Sequence, residues 1–241
     1  MEKMFKVKTI HEDIRTYVHA NDKLCLTHIH FGYWLNPGES FGVAQENLYN
    51  LIRNFIPRGV KDILDVGGGI GGVSIRLLRE NYRPVCIVPD PLLIEIGRES
   101  FPDLFFLRGT AEFFKVRKKC DMALLLESFQ YFSAPERALS NIDKHLNDGG
   151  YVMLVDEFWV DDKIKKTEDF LPKFFETRKY RVIQQLELTK EIIPTCDFLI
   201  ECFKDINERY VRKWRRTKEL YLSGKKRYFL FLLQKQKSLL L

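Results

Sequence analysis

The feature that most constrains the fold is a turn at positions 67–72, where five of six consecutive residues are glycine. Before it, Ile63, Leu64 and Val66 form an apolar, partly β-branched run that predicts a buried parallel strand. After it, residues 73–79 interleave apolar and polar side chains in a pattern that predicts a helix with one buried face. Glycines let the backbone turn tightly and let a ligand touch it, and the following helix offers free N–H groups and a positive dipole end. This stretch therefore predicts a strand, a turn and a helix that bind a nucleotide-like ligand.

The glycine spacing is compatible with two classes of cofactor. Gly67, Gly69 and Gly72 fit the G-x-G-x-x-G fingerprint of dinucleotide-binding proteins, which leaves a nicotinamide-dependent oxidoreductase open. Gly67, Gly69 and Gly71, preceded by Asp65, are similar to the first motif of S-adenosylmethionine-dependent methyltransferases. A P-loop is excluded, because no Gly-Lys-Ser/Thr ending follows the glycines.

Apolar and amphipathic segments alternate along the chain. Helices are expected from Ser40 to Pro57 and over 92–99, 134–146 and 194–222; strands are expected over 63–66, 84–88, 104–107, 122–126, 151–155, 180–188 and 228–233. This alternation indicates an α/β fold with a doubly wound, parallel sheet. We interpret 1–241 as a single domain with four parts: 1–57 as N-terminal helices and lid, 61–156 as the cofactor-binding core, 157–179 as a helical insertion, and 180–241 as the last strands and a long basic helix.

Composition narrows the class of protein. A hydrophobic content of 45% over 241 residues suffices for the core of one domain. Five scattered cysteines without a C-x-x-C pair predict reduced thiols and argue against a bound metal. No apolar run reaches the length of a membrane span and the first residues show no signal-peptide pattern, so we expect a cytoplasmic protein. The net charge of +6 is weak evidence for a nucleic-acid partner.

Two further segments have an unusual composition. Residues 27–38 hold three aromatics beside two histidines and end in an Asn-Pro-Gly turn, which fits either a pocket wall or ordinary core anchors. Between 204 and 237 basic residues far outnumber acidic ones, which fits either a docking surface for an acidic partner or a solvated helix face. Trp214 lies on the apolar stripe of that helix, and this favours the solvated face.

Four stretches together resemble class I S-adenosylmethionine-dependent methyltransferases of the small-molecule type with a His-Phe-Gly-Tyr-Trp lid motif. They are HFGYW at 30–34, ILDVGGGIGG at 63–72, LLLESFQYF at 124–132 and SGKKRYFLFLLQK at 223–235. The resemblance implies a Rossmann-like, mostly parallel seven-stranded sheet whose last strand is antiparallel, with helical lid elements. It also implies S-adenosylmethionine as cofactor and methyl transfer to an oxygen or nitrogen of a small metabolite or natural product.

The resemblance further implies which residues form the site. In this chain the cofactor contacts would be Tyr33, Trp34, Asp65, Gly67, Gly68, Gly69, Gly71, Val88, Asp90, Thr110, Ala111, Glu112 and Glu127. Tyr33 and Trp34 would close over a sulfonium cation with their π faces. Glu127 follows strand four, where family members present groups to the methionyl part and the substrate.

The sequence departs from the family pattern at two cofactor positions. An acid for the ribose hydroxyls usually ends strand two, but Val88 stands there and Asp90 comes two residues late. An acid for the adenine amino group usually follows strand three, but Thr110 stands there and Glu112 comes two residues late. Either the neighbouring acids take over, or affinity falls about tenfold to a hundredfold, for a lost charged hydrogen bond worth about 1.5–3 kcal/mol.

A third departure concerns the proton acceptor. Relatives that methylate hydroxyls often have histidine after strand four, where this chain reads FQYF at 129–132. A hydroxyl needs a base as it attacks, whereas a free amine does not. His30 and His28 are candidates; Tyr131 would orient a substrate but is a poor base, because its unperturbed pKa is about 10. His145, in a helix, is predicted to be structural. The methylated atom therefore stays open.

Three alternatives stand beside a small-molecule methyltransferase. A non-catalytic relative with weakened cofactor binding, acting as a binding or assembly partner, is suggested by Val88, Thr110 and the missing histidine. A nicotinamide-dependent oxidoreductase is suggested by the glycine spacing alone. A nucleic-acid methyltransferase is suggested by the basic helix.

Overall fold

The computed structural model describes residues 30–160, 180–205 and 207–236. The helices are α1 (Phe41–Phe55), α2 (Gly72–Arg79), α3 (Pro91–Ser100), α4 (Pro135–His145), α5 (Thr189–Phe203) and α6 (Glu208–Leu222). The strands are β1 (Asp62–Val66), β2 (Arg83–Val88), β3 (Phe106–Arg108), β4 (Cys120–Leu126), β5 (Leu146–Trp159), β6 (Tyr180–Glu187) and β7 (Lys226–Lys235). A 3₁₀ turn covers Phe129–Tyr131.

The seven strands form one sheet in the order β3-β2-β1-β4-β5-β7-β6. The pairs from β3 through β5 are parallel, whereas β7 is antiparallel to both β5 and β6. The predicted doubly wound, mostly parallel seven-stranded sheet is therefore confirmed, including the antiparallel last strand.

The centre of the sheet is buried on both faces because its strands alternate two sets of apolar side chains. Met122 and Leu124 of β4 point to a core that α1, α5 and α6 cover. Ala123 and Leu125 point to the opposite core, which α4 covers. A third cluster joins α2 and α3 to β2 and β3.

Several helices begin at residues suited to that position. The Ser40 hydroxyl accepts a hydrogen bond from the Val43 N–H, and Asn207 caps α6 through the Arg209 N–H. Asp90 caps α3 and Pro91 follows it at the first helical position. Proline also opens α4, at Pro135.

Two predicted boundaries are wrong. Residues 194–222 form two helices rather than one: α5 begins at Thr189, with Pro194 inside it, and α6 begins after the Asn207 cap. Residues 157–159, predicted to open the helical insertion, belong to β5, because β7 pairs with β5 as far as Trp159. Residues 161–179 of that insertion lie outside the described residues.

The basic helix has its aromatic side chain turned inward. Trp214 is buried with Val211 in the core beneath α6, while Arg212, Arg215 and Arg216 are exposed. This burial agrees with the prediction of a solvated basic face. Over the described residues, no helix is both long enough and apolar enough to cross a membrane.

Candidate functional site

The strand order creates a crevice between β1 and β4. From β1 the chain proceeds to β2, which lies beside β1 in the sheet, and later returns to β4, which lies on the other side of β1. In doubly wound sheets, ligands bind at the carboxyl ends of the strands beside such a switch point. The glycine turn follows β1, and Glu127 and Ser128 follow β4, so both predicted motifs flank the crevice.

The glycine turn uses left-handed backbone at alternate residues. Gly67, Gly69 and Gly71 have φ angles of +84°, +58° and +90°. A Cβ atom at Gly67 would also lie 2.4 Å from the Ser128 Cβ across the crevice. Gly67 is therefore required both by its backbone conformation and by the contact between the two motifs.

The glycine turn packs against the side chain of Asp65. Its buried carboxylate accepts a hydrogen bond of 2.6 Å from the Ser74 hydroxyl in α2. Burial raises the pKa of Asp65 to about 6, and the Ser74 hydrogen bond opposes the shift. A Cβ atom at Gly68 would lie 2.4 Å from the same carboxylate, so the turn packs directly on Asp65.

Glu127 connects three separate parts of the chain. Its Oε1 accepts hydrogen bonds of 2.7 Å from the Phe31 N–H and from the Tyr228 hydroxyl in β7. Its φ angle is +50°, which is uncommon for a residue other than glycine. Burial raises the pKa of Glu127 to about 8; the charges of Asp156 and Glu157 add to the shift, and the two hydrogen bonds oppose it.

The HFGYW segment at 30–34 is hydrogen-bonded to helices on two sides. The Tyr33 N–H donates to the Ala44 carbonyl in α1, and the Trp34 N–H donates to the Glu191 carbonyl in α5. Thr195 of α5 accepts both the Gly32 N–H at 3.0 Å and the Trp34 indole N–H at 2.9 Å.

Aromatic stacking reinforces these hydrogen bonds. The Phe31 ring stacks on Tyr228, with centroids 6.0 Å apart, and the Trp34 ring stacks on Phe41 at 6.3 Å. Tyr33 and Trp34 are partly buried. The segment is thus a fixed wall in this structure, and its proposed closure over a ligand stays a prediction.

The two candidate catalytic residues have different surroundings. His30 is buried, and its Nδ1 lies 2.7 Å from the Phe31 carbonyl oxygen. Since a carbonyl only accepts, Nδ1 carries a proton, and the neutral ring has its lone pair on Nε2. Tyr131 is 50% exposed in the 3₁₀ turn after β4. His28 lies outside the described residues.

His145 has the contacts expected of a structural residue. Its Nδ1 lies 2.8 Å from the Asn141 carbonyl one turn earlier in α4, and its ring lies 4.9 Å from the Phe114 ring.

At the β2 end of the site, the expected acid position is apolar. Val88 is 1% exposed and shares an apolar cluster with Ile70 of the glycine turn. The Asp90 Oδ1 accepts the Leu92 N–H at 2.9 Å, which makes Asp90 the cap of α3.

After β3, Glu112 is held by the residues that directly precede α4. Its Oε1 accepts the Ser133 N–H and hydroxyl at 3.0 Å and the Ala134 N–H at 3.1 Å, at the start of α4. These bonds and one with the Thr110 side chain lower the pKa of Glu112 against the opposing effect of burial. Ala111 is buried, and its carbonyl accepts a hydrogen bond from Asn141.

Three residues of the site were missed by the sequence interpretation. Thr195 and Tyr228 make their contacts far along the chain; the stretch that holds Tyr228 contributed to the resemblance, but no contact was assigned to either residue. Asp156 accepts the Phe129 N–H at 2.8 Å and so fixes the segment after β4; burial raises its pKa to about 7. The sequence does carry a signal for Asp156, because a carboxylate inside an apolar strand indicates a hydrogen-bond partner.

The described residues place no group of three or more His, Cys, Asp or Glu side chains where they could hold a metal ion. The fold and the site define a doubly wound α/β protein with a nucleotide-type glycine turn at its switch point and an antiparallel last strand. The chain belongs to the Methyltransferase domain family, whose profile matches residues 43–191. The predicted family is therefore confirmed at this level.

A relative and two solved structures give the wider context. An uncharacterized methyltransferase of Mycobacterium tuberculosis strain H37Rv is 28% identical over 100 residues, which are 42% of this chain and 41% of that protein. This chain thus matches less than half the length of that relative. A protein from Galdieria sulphuraria assigned as a sarcosine dimethylglycine methyltransferase has a TM-score of 0.81 at 14% identity, covering 93% of this chain and 98% of that one. The [4+2]-cyclase SpnF has a TM-score of 0.71 at 19% identity, covering 88% and 89%.

Proposed function

We propose that the protein transfers a methyl group from S-adenosylmethionine to an oxygen or nitrogen of a small metabolite or natural product. The observation that carries the proposal is the placement of the glycine turn and Glu127 on opposite sides of the β1–β4 crevice, in a chain of the methyltransferase family. The resemblance to a sarcosine dimethylglycine methyltransferase in fold supports a small acceptor.

The residues around the crevice fit the methionyl half of the cofactor. The left-handed glycines bring backbone close to a ligand, and the first turn of α2 offers N–H groups to an anionic carboxylate. Both hydrogen bonds of Glu127 described above use Oε1, so the ionised carboxylate would offer Oε2 to an ammonium group. When bound, S-adenosylmethionine supplies a methyl group activated by a positively charged sulfur.

The task of the protein is then alignment and exclusion of water. The wall at 30–34 would cover the crevice, and Glu127 anchors it through the Phe31 N–H. Asp156 fixes the start of the 3₁₀ turn that carries Tyr131. The exposed phenol of Tyr131 would contact the acceptor.

An oxygen acceptor would also need a proton acceptor, and His30 is our candidate. The tautomer fixed by the Phe31 carbonyl puts the basic lone pair on Nε2. An amine acceptor that arrives as the free base would need no such group. With an oxygen acceptor, His30→Asn should therefore abolish the fall in the methyl-transfer rate at low pH. With an amine acceptor, the dependence of the rate on pH should stay unchanged.

A second candidate function is a non-catalytic binding role, or a reaction other than methyl transfer, on the same fold. Val88 and Thr110 favour it, because neither presents a carboxylate to a nucleoside. The fold likeness to a [4+2]-cyclase adds that this architecture also occurs in a protein named for another reaction.

Nucleic acid is not our proposed substrate, since Trp214 is buried beneath the basic helix. For location we propose the cytoplasm, on the support of four free cysteines among the described residues.

Calorimetric titration tests the proposal. We expect S-adenosylmethionine and S-adenosylhomocysteine to bind in the micromolar range and NADH, the control for an oxidoreductase, not to bind. Tritium from methyl-labelled S-adenosylmethionine should then enter small molecules of a metabolite extract. Failure of both S-adenosylmethionine and S-adenosylhomocysteine to bind at millimolar concentration would reject methyl transfer. Binding without transfer to any acceptor pool would favour the non-catalytic candidate.

A further inference from the structure

We propose that the protein does not recognise the ribose hydroxyls of its cofactor through a carboxylate, and that it therefore binds deoxyribose analogues nearly as well as the parent compound. The inference rests on the proposed function and specifies how that site treats the nucleoside. It follows from the positions of Val88, Asp90, Thr110 and Glu112 at the carboxyl ends of β2 and β3.

Val88 occupies the place where a ribose ligand is expected. In doubly wound folds an acid about 20 residues after the glycine turn accepts hydrogen bonds from the ribose. Val88 is the last residue of β2, next to β3 in the sheet through Arg108. Its side chain is packed in an apolar cluster with Ile70 of the turn. This position therefore offers van der Waals contact and no hydrogen-bond acceptor.

The nearest acid along the chain is committed to a helix. Asp90 caps α3 through the Leu92 N–H, and a short aspartate side chain that caps a helix is held at that helix start. Moving it to a ribose would expose the first turn of α3. Asp90 consequently cannot move to the position of the missing acid without a loss of helix stability.

The acid after β3 is committed as well. Glu112 Oε1 accepts three hydrogen bonds from Ser133 and Ala134 at the start of α4. The Thr110 side chain also bonds to Glu112. The only hydroxyl at the second expected acid position is thus directed to the protein. Among the described residues at these two strand ends, Asp90 is held through Oδ1 at the start of α3, and Glu112 is held through Oε1 by the residues that precede α4.

We expect the protein to discriminate little between a ribose ligand and its deoxyribose analogue. A site that reads a ribose hydroxyl with a charged group loses about tenfold to a hundredfold in affinity when that hydroxyl is removed. Here, removal of either the 2′- or the 3′-hydroxyl should change the dissociation constant by no more than about threefold.

The first experiment compares three ligands on the wild-type protein by calorimetry. S-adenosylhomocysteine, its 2′-deoxy analogue and its 3′-deoxy analogue should bind within about threefold of one another. A loss of tenfold or more for either analogue would overturn the inference and leave the methyltransferase proposal intact. Failure of S-adenosylhomocysteine itself to bind would reject the proposed function, and this inference with it.

A gain of discrimination provides the second test. Val88→Asp should raise the preference for S-adenosylhomocysteine over the deoxy analogues to tenfold or more, whereas the neutral control Val88→Asn should raise it less. Thermal melting identifies variants that stay folded, since a carboxylate in an apolar cluster is destabilising. A folded Val88→Asp protein that shows no change of preference would overturn the assignment of Val88 to the ribose. The wild-type comparison decides the inference even where this variant does not fold.

Discussion

Glu127 accepts a hydrogen bond of 2.7 Å from the hydroxyl of Tyr228, a residue 101 positions later in the chain. The same carboxylate oxygen accepts the Phe31 N–H from a segment 96 positions earlier. Glu127 Oε1 thereby joins three elements: the end of β4, the wall at 30–34 and the antiparallel strand β7. Because these bonds occur in partly buried surroundings, changes at Glu127 should affect both stability and ligand binding.

The first prediction concerns the pH dependence of stability. The pKa of Glu127 rises from 4.5 to about 8 in the folded protein, so between these values the folded state binds more protons than the unfolded state. The free energy of unfolding therefore falls as the pH rises through this window, by up to about 1.4 kcal/mol per pH unit for one group. Glu127→Gln should flatten this fall between pH 5 and 8, as measured by urea denaturation at each pH.

Part of the slope should persist in the variant. Asp65 and Asp156 also have raised pKa values, of about 6 and 7, and act in the same direction. Glu95→Gln, at an exposed position of α3, is the matched control and should leave the slope unchanged. Equal slopes for wild type and Glu127→Gln would contradict the prediction.

The second prediction separates backbone strain from steric contact in the glycine turn. Gly59 and Gly67 have similar φ angles, +89° and +84°, but a Cβ atom at Gly59 would meet nothing within 4 Å. Gly59→Ala should cost about 1–2 kcal/mol from strain alone. Gly67→Ala should cost about 1–3 kcal/mol more, because its Cβ meets the Ser128 Cβ at 2.4 Å.

A double variant tests the origin of that difference. Ser128→Gly removes the atom that would clash, so in its background the extra cost of Gly67→Ala should largely disappear. Chemical denaturation of the single and double variants gives the coupling energy. Strictly additive effects would show that the contact across the crevice is not the cause.

The third prediction concerns the anchoring of the wall. Thr195→Val removes the acceptor of the Gly32 N–H and the Trp34 indole N–H while keeping the side-chain shape. Leaving buried donors without an acceptor should cost about 1–3 kcal/mol each. Hydrogen exchange at 32–34 should become faster in this variant, whereas Thr195→Ser, which retains the hydroxyl, should resemble the wild type. Unchanged exchange in Thr195→Val would mean that other contacts suffice to hold the segment.

The fourth prediction assigns Glu112 to the fold rather than to a ligand. Glu112→Ala removes the acceptor of two backbone N–H groups just before α4 and should lower the free energy of unfolding by about 1–3 kcal/mol. The affinity for S-adenosylhomocysteine should change less than about twofold. A tenfold loss of affinity in a folded variant would instead identify Glu112 as the substitute for the missing adenine acid.

The sequence alone was sufficient for most of the architecture. Alternating strands and helices, the glycine turn and the start of a helix at Ser40 are encoded by neighbouring residues, so local patterns reveal them. The break between α5 and α6 was missed, because the apolar stripe continues in phase from Leu199 to Trp214 and conceals it.

For the site, the sequence revealed residues on the motifs but not their partners. The glycine turn and Glu127 stand directly after predicted strands, and the strand order brings them to one crevice. Thr195 and Tyr228 act only through contacts of long sequence separation, which no window of neighbouring residues contains. The roles of Asp90 as a helix cap and of Glu112 as the acceptor for the residues before α4 likewise depend on where α3 and α4 begin.

The position of β7 has a consequence for synthesis on the ribosome. In the sheet, β7 lies between β5 and β6, although it is the last of the seven strands to be translated. Until it emerges, the edge of β5 has no strand beside it and β6 cannot join the sheet. The unpaired N–H and C=O groups at this edge of β5 can then pair with other chains. Tyr228 is part of β7. The pairing of β7 therefore completes the sheet and supplies the hydrogen-bond partner of Glu127 in a single late step.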